Sequence, residues 1–297
     1  MNIVVLAGGT SGEREVSLRS GAAVAKALET KGHVVTMVDP KDGLDALGEP
    51  DVVFPALHGA GGEDGTVQAE LEKRNIACVG ADSVASALCF DKWAYRIKLQ
   101  EAGLPVAKGE MVTAQSFDES PLAQKPYVLK PVDGGSTIDT FIVRDPATAN
   151  KKEINEALGR YDEMLLEELI EGVEITVAVL GQTPLTPVEI IPPEGGEFDY
   201  ENKYNGKTRE LCPPKHVDDT AQYQAKGLAL KAHDLTSCQD LSRTDFIIRN
   251  DGSPVILETN TLPGMTDQSL YPKAAAASGI PFADLVDQLV KMAKARA

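Results

Sequence analysis

An α/β protein of more than one unit is what this chain predicts, and three observations predict it. Residues 1–84 alternate short apolar runs with helical stretches, the pattern of a parallel α/β layer. From about residue 85 the texture changes to strands joined by Gly-rich turns and helical stretches. Near the C-terminus "RTDFIIRNDGSPVILETN" reads as a β-hairpin. A length of 297 residues suits two or three domains with cores of their own.

In the first unit "NIVVLAGG", "HVVTMVD", "DVVFPALHG" and "NIACVG" read as strands, and residues 14–31 and 64–74 as helices. Gly-rich turns follow the first and third strands, so "GGTSGERE" and "HGAGGEDG" fall together at the carboxyl edge of the sheet, where open α/β sheets bind ligands. A helix over 84–102, with Lys92 inside it, opens the second unit. "PYVLKP", "TFIVRD", a helix at 147–159 and "EMLLEELI" follow. The third unit carries "EITVAVLG" and "LTPVEIIPP", a helix at 218–236, the hairpin and two closing helices. Residues 193–213 show no periodicity, and a structureless stretch of that length inside a compact domain reads as a lid, a binding loop or disorder, with its Tyr and Lys residues arguing against plain disorder.

The hairpin carries charge where a sheet usually places apolar groups. Asp251-Gly252 is a strong turn signal, and a two-residue type I′ turn there pairs Asn250 with Ser253, Ile248 with Val255, Asp245 with Glu258 and Arg243 with Asn260. Side chains alternate faces, so Arg243, Asp245, Glu258 and Asn260 share one face, backed by Phe246, Ile248, Val255 and Leu257. Directly opposed carboxylates sit roughly 5 Å apart and repel. One reading is a solvated face on which Arg243 neutralises its neighbours. The other is a hard divalent cation, because two carboxylates and an amide oxygen are a ligand set Mg²⁺ uses while also holding phosphates.

Composition excludes several classes. Hydrophobic residues at 42% and charged residues at 25% are ordinary for a globular chain. No apolar run approaches the ~20 residues of a membrane span, and Ile3–Ala7 is too short and lacks the basic flank of a signal peptide. Cys78, Cys89, Cys212 and Cys238 are far apart in sequence, without a CxxC pair, which points to a reduced cytoplasmic protein rather than a zinc site or disulfide framework. A net charge of −16 argues against nucleic acid and anionic membranes as partners.

Other residues have a chemical and a plain reading. Lys130 ends an apolar run just before Gly134, Gly135 and Ser136, so a strand delivers an ammonium beside a turn whose NH groups can cover phosphates. An ordinary hairpin turn explains the same residues. Lys92 is either a phosphate ligand or a solvated helix lysine. Glu167 and Glu174 bracket a short connection suited to a purine nucleoside, or belong to an acidic surface loop. Glu13 and Glu15 open a helix where acids favour the dipole, and His58 after a strand reads equally as a structural histidine.

Taken in order, "GGTSGEREVSLRSG", "ALHGAGGEDGT", "ASALCFDKW", "LKPVDGGST", "FDYENKY", "LSRTDF" and "LETNTLPGMTDQSL" closely resemble the D-alanine–D-alanine ligases of the ATP-grasp superfamily, over nearly the whole chain. The resemblance implies a three-domain ATP-grasp fold with a Rossmann-like N-terminal parallel α/β domain (1–84), a central subdomain (85–167) and a C-terminal catalytic domain (168–297) whose lid is 193–213. It implies that Lys92, Lys130, Gly135, Ser136, Glu167 and Glu174 bind ATP, and that Asp245, Glu258 and Asn260 hold Mg²⁺ or Mn²⁺, two ions in number. Arg243 and the backbone NH of Gly264 match the oxyanion donors. Glu15 with His58 is expected at the first D-alanine, and Lys203, Ser269 and Leu270 at the second. Glu15, Ser136 and Tyr204 match a trio that ties the lid down. A cytoplasmic homodimer serving peptidoglycan synthesis is the implied setting.

The chain departs from that family at its phosphate loop, usually E-G-S-S-V-G and here Gly134 to Asp139. Asp139 in place of Gly puts a carboxylate near phosphates and restricts φ. Asp240 likewise stands where the family has glycine. An ATP-binding pseudo-enzyme or sensor, or a ligase taking D-serine or D-lactate second, therefore stands beside the D-alanyl-D-alanine reading.

Overall fold

Three sheets carry the chain, and the computed structural model describes residues 1–134, 139–193 and 208–297. The first sheet is parallel, in the order β2 (Val34–Val38), β1 (Asn2–Leu6), β3 (Val52–Pro55). Alternation in β1 divides its side chains between two cores. Ile3 and Val5 join Val24 and Leu28 of α1 (Arg14–Thr30), whereas Val4 and Leu6 join Val67 and Leu71 of α2 (Thr66–Lys73). Burial of both faces is why β1 and β3 read as unbroken apolar runs. Gly21 lets α1 lie close on the sheet, since a Cβ there would stand 2.4 Å from that of Ala7. "NIACVG" contributes only an isolated parallel bridge, Val53 to Cys78, instead of a full strand.

The helix expected over 84–102 is two helices, α3 (Ser83–Phe90) and α4 (Lys92–Glu101). Asp91 separates them in an extended conformation, and its carboxylate accepts from Ala94 NH at 2.8 Å. An Asx cap here competes successfully with helix continuation. Lys92 thereby opens a helix at its first position instead of riding inside one.

The second sheet is antiparallel, in the order β4 (Gly109–Val112), β7 (Met164–Glu168), β5 (Tyr127–Pro131), β6 (Phe141–Val143). One face packs on α5 (Lys151–Leu158) through Ile154, Ala157 and Leu158, in a core drawn wholly from residues 112–166. The third sheet runs β11 (Arg209–Leu211), β10 (Val188–Ile191), β8 (Val173–Leu180), β12 (Leu241–Ile248), β13 (Pro254–Asn260), with β9 (Thr183–Pro184) beside β8. β11 corrects the reading of 193–213 as structureless throughout, because Arg209–Leu211 pairs with β10. Helix α6 (Asp219–Leu235) covers one face, and α7 (Leu270–Ala277) and α8 (Phe282–Arg296) cover part of the other. Leu285, Leu289 and Val290 of α8 share one core with Ile3, Val5, Val52 and Phe54 of the first sheet.

The hairpin departs instructively from its expected register. Arg249 NH donates to Ser253 O at 2.9 Å and Gly252 NH to Arg249 O at 2.9 Å, with Gly252 at φ 84°. This is a three-residue loop ending in an αL glycine rather than a two-residue type I′ turn. Ile248 consequently pairs with Pro254 and Ile247 with Val255. A bulge then opposes Phe246 to Ile256 and Asp245 to Glu258, leaving Leu257 as the extra residue. The longer turn and the bulge each shift register by one and cancel, so Asp245 still faces Glu258 and Arg243 still faces Asn260. Val255 shares the side of its partner Ile247, and Leu257 lines the cavity beside Glu258; both were expected behind the site.

Asp240, a departure from the family pattern, fastens the first and third sheets. Its buried carboxylate accepts Gly80 NH at 2.9 Å and pairs with Arg296 near the end of α8, while Arg296 also donates to Cys78 O at 2.8 Å. Arg296→Leu leaves that carboxylate buried with one partner removed, and a loss of about 2 kcal/mol is expected in urea unfolding. Asp240→Asn combined with Arg296→Leu should recover part of it.

At the edge of the first sheet, Asp39 loses solvation on burial, but the Arg14 guanidinium at 2.6 Å and the Gly9 and Lys41 NH groups outweigh that and hold its carboxyl at about 2 instead of 3.8. A carboxyl whose folded pKa is depressed stabilises fully above its unfolded value and loses that contribution as pH falls through the folded one. Stability from this pair should therefore disappear between about pH 4 and pH 2. Asp39→Asn should flatten the acid limb of a Tm-against-pH curve in that window.

Candidate active site

One cavity of about 1400 Å³ opens between the three sheets. The first sheet contributes His58 and Glu63 from the loop after β3, and Glu13 and Arg19 from α1. His58 is buried, with Nε2 at 3.3 Å from Ser20 Oγ and Nδ1 at 4.0 Å from Glu63 Oε1. Glu13 occupies the N-cap of α1 without a side-chain cap bond, and its carboxylate comes within 3.2 Å of where a Cβ on Gly59 would stand. The Glu13 carboxylate therefore lies beside Gly59, the residue after His58, at the positive end of a helix.

Glu15, the acid expected here, is exposed and absent from the cavity wall; its charge acts on Arg14. Two acids two residues apart on a helix point in different directions. Glu13, just ahead of the helix, lines the cavity together with Val16, Arg19 and Ala23, and Glu15 in the first turn does not.

The central sheet supplies Lys130 from β5 and Glu167 from β7, joined at 2.7 Å, with Arg96 Nε 3.4 Å from the same carboxylate. Burial works against the Lys130 charge, yet Glu167 outweighs it and the ammonium is held more firmly than usual. Lys92, by contrast, has its pKa lowered by burial despite the field of Glu258, and its Nζ donates to Gly134 O at 2.6 Å. Both cations are desolvated inside the cleft, which strengthens their pull on an anion.

Register on the third sheet lines up the remaining groups. Asp245 of β12 lies between Thr176 of β8 and Glu258 of β13, and Arg243 lies between Ala178 and Asn260. Arg243 grips Asp245 with two parallel bonds, Nε to Oδ1 at 2.9 Å and Nη2 to Oδ2 at 2.8 Å, and Thr176 Oγ1 donates to Oδ1 at 2.5 Å. Burial opposes the Arg243 charge, but Asp245 and Glu258 push its pKa above the ordinary value. Behind this row, Thr259 bonds Tyr95 OH at 2.6 Å and Thr244 Oγ1 at 2.8 Å, which fixes β13 against α4.

Asp245, Glu258 and Asn260 all line the cavity and offer the hard oxygen donors that a divalent cation requires. Among the described residues Asp245 Oδ2 accepts one bond, from Arg243, and Asn260 Oδ1 one, from Leu262 NH at 2.9 Å, so each has a lone pair to offer. Glu174, which pairs with Ile247 two register positions from Asp245, also lines the cavity. Gly264, Ser269 and Leu270 close the opposite side. Gly135, Ser136, Lys203 and Tyr204 lie outside the described residues.

A model of the D-Ala–D-Ala ligase C-terminus matches residues 99–291, and one of the N-terminus matches residues 38–81. The chain belongs to the D-alanine–D-alanine ligase family. Members of that family similar to it include the D-alanine–D-alanine ligase of Sphingopyxis alaskensis, 44% identical with 98% of this chain and 97% of the relative covered. That of Gluconobacter oxydans is 42% identical with 100% of both covered. The crystal structure of the Bacillus anthracis ligase superposes with a TM-score of 0.86 at 29% identity, covering 99% of this chain and 97% of that one. The VanG D-Ala:D-Ser ligase of Enterococcus faecalis gives 0.81 at 27%, covering 98% and 99%. The fold is the ATP-grasp fold of these ligases.

Gly264 gives the family site a sharp structural demand. A Cβ on it would stand 2.7 Å from Ser269 Oγ, which is bonded to Thr266 Oγ1 at 2.8 Å and Thr266 NH at 3.0 Å. Gly264→Ala should displace the Ser269 side chain and lower kcat/KM by about tenfold or more, with Ser269→Ala as the steady-state comparison.

Proposed function

We propose that the chain joins two D-alanines into D-alanyl-D-alanine at the expense of ATP, in three units of residues 1–84, 85–167 and 168–297. The observation that carries this is the row Asp245–Glu258 with Arg243, set opposite Lys92 and Lys130 in one cavity. The carboxylate of the first D-alanine attacks the γ-phosphate, and the amine of the second attacks the resulting acyl phosphate with loss of phosphate. Glu13, in place of Glu15, receives the ammonium of the first D-alanine beside His58. Lys92 and Lys130 contact the ATP phosphates, Glu167 and Glu174 the nucleoside.

Asp245, Glu258 and Asn260 would hold Mg²⁺ or Mn²⁺, which when bound offsets the charge crowded between phosphates and carboxylate. Arg243, already aimed by Asp245, and the NH of Gly264 stabilise the tetrahedral oxyanion. Ser269 and the backbone at Leu270 orient the second carboxylate, with Lys203 assigned there by family likeness. Ser136 and Tyr204 are assigned on the same ground to the contacts that shield the reacting centre from water. The setting proposed is cytoplasmic peptidoglycan precursor synthesis by a homodimer.

The pseudo-enzyme reading loses its main support because Asp139 is paired with Arg160 at 2.5 Å and does not stand as a bare charge. ADP release with ATP, Mg²⁺ and D-alanine, with direct detection of product, tests the ligase reading. D-Alanyl-D-alanine is the expected product, and D-serine and D-lactate run in parallel decide the acceptor; ATP binding with no product from any acceptor would sink it. Glu13→Gln should raise the KM of the first D-alanine by about tenfold or more, and Glu15→Gln should leave it within about twofold. The reverse order would restore Glu15 to the site.

A further inference from the structure

Asp139 is a non-glycine residue at φ 53°, in the left-handed region. Asp and Asn tolerate that region better than other side chains, but glycine adopts it more readily still. The aspartate is therefore explained by what its side chain does. Oδ1 accepts from Arg160 Nη2 at 2.5 Å and Oδ2 from Tyr161 OH at 2.7 Å. Both donors follow α5, held by Arg160 NH and Tyr161 NH to Ala157 O at 2.8 and 3.2 Å. The Tyr161 ring packs against the central core. Its hydroxyl proton is held more tightly than usual, first because of the bond to Asp139 and then because of burial.

The clamp acts on a cavity wall. Asp139 is followed at once by Thr140 and β6, and Thr140, Ile142 and Arg144 line the cavity. β6 pairs with β5, Leu129 with Phe141, directly beside Lys130. On the near side of the same connection Asp133 and Gly134 also line the cavity, and Lys92 Nζ holds Gly134 O. The β5–β6 connection is thus held at both described ends by side-chain donors, the Lys92 ammonium at one and the Arg160 guanidinium with the Tyr161 hydroxyl at the other.

We propose that Asp139 is a positioning residue for ATP: through Arg160 and Tyr161 it sets the wall of the phosphate end of the cavity, and the same two donors keep its charge from repelling the nucleotide. This deepens the ligase reading and rests on it. It reverses the simple electrostatic expectation, under which glycine at this position improves ATP binding.

The test measures KM for ATP and for D-alanine, kcat, Tm and direct binding of a non-hydrolysable ATP analogue for the full chain and for Asp139→Gly, Asp139→Asn, Arg160→Met and Tyr161→Phe. Asp139→Gly should raise KM for ATP and weaken analogue binding about tenfold, with KM for D-alanine within about twofold. Asp139→Asn, which keeps αL tolerance and can still accept from Tyr161, should recover part of the loss. Arg160→Met added to Asp139→Gly should cost nothing more, because the partner is already gone. Unchanged or tighter ATP binding in Asp139→Gly overturns the positioning role alone. A parallel rise in both KM values that tracks a fall in Tm overturns it as well, by showing a merely structural role. A wild-type chain without affinity for the analogue overturns the ligase reading and this proposal with it.

Discussion

Two carboxylates are required to face each other across neighbouring strands, and the third sheet is organised by what makes that tolerable. Asp245 and Glu258 lie roughly 5 Å apart by register, inside a cavity that weakens solvent screening. Arg243 answers with a bidentate grip on Asp245, and Thr176 reaches the same carboxylate from β8. Lys92 and Lys130, reaching in from the other side, feel the field of Glu258. Charges this close neutralise one another only in one geometry, so the elements that bear them are fixed from behind: Thr259 to Tyr95, Thr244 to Thr259. What is electrostatically costly without a ligand is, for the polyanionic nucleotide the family uses, a prepared set of charges.

Local pattern made the large elements legible and left their fine register unread. The apolar runs of β1 and β3 read correctly because both faces are buried. The break at Asp91 was not read, since an aspartate inside an amphipathic pattern looks the same whether it caps or merely faces solvent. The hairpin shows how a right contact arises from a wrong turn. One residue gained in the loop and one in the bulge at Leu257 restore Asp245 to Glu258, and nothing short of the folded register reveals that they cancel. Family likeness points to an acid at the start of α1, and only the folded direction of that segment puts Glu13, and not Glu15, on the cavity wall.

The departures from the family pattern are explained by partners distant in sequence. Asp240 looks like an intrusion until Gly80 NH and Arg296 are seen around it, 160 and 56 positions away. Asp139 looks like a charge placed against phosphates until Arg160 and Tyr161 are seen to absorb it. In both cases an acid at a glycine position acquires a cation and a further hydrogen-bond donor. A substitution read alone carries the cost of the new group, and a substitution read with its contacts carries the difference between that cost and what surrounds it.

The distribution of cores says which walls of the cavity are rigid with respect to one another. The first sheet shares a continuous core with α8 and with β8 and β10, and Asp240–Arg296 adds a charged fastening at the same seam. His58 and Glu13 are therefore carried on the same body as Arg243 and Asp245. The central sheet has a core of its own, and its links to the hairpin among the described residues include the bridge Val106 to Ile256, the bond from Ile256 NH to Pro105 O at 2.8 Å and the ion pair Arg249–Glu168. Units with separate cores move relative to each other unless the interface between them is large and apolar. Lys130, Glu167 and the β5–β6 connection thus belong to the wall whose position must be set locally. Short charged contacts do this: Lys130 to Glu167 within the central sheet, Asp139 to the turn after α5, and, from α4, whose Tyr95 and Leu99 lie in the third sheet's core, Lys92 to Gly134 O.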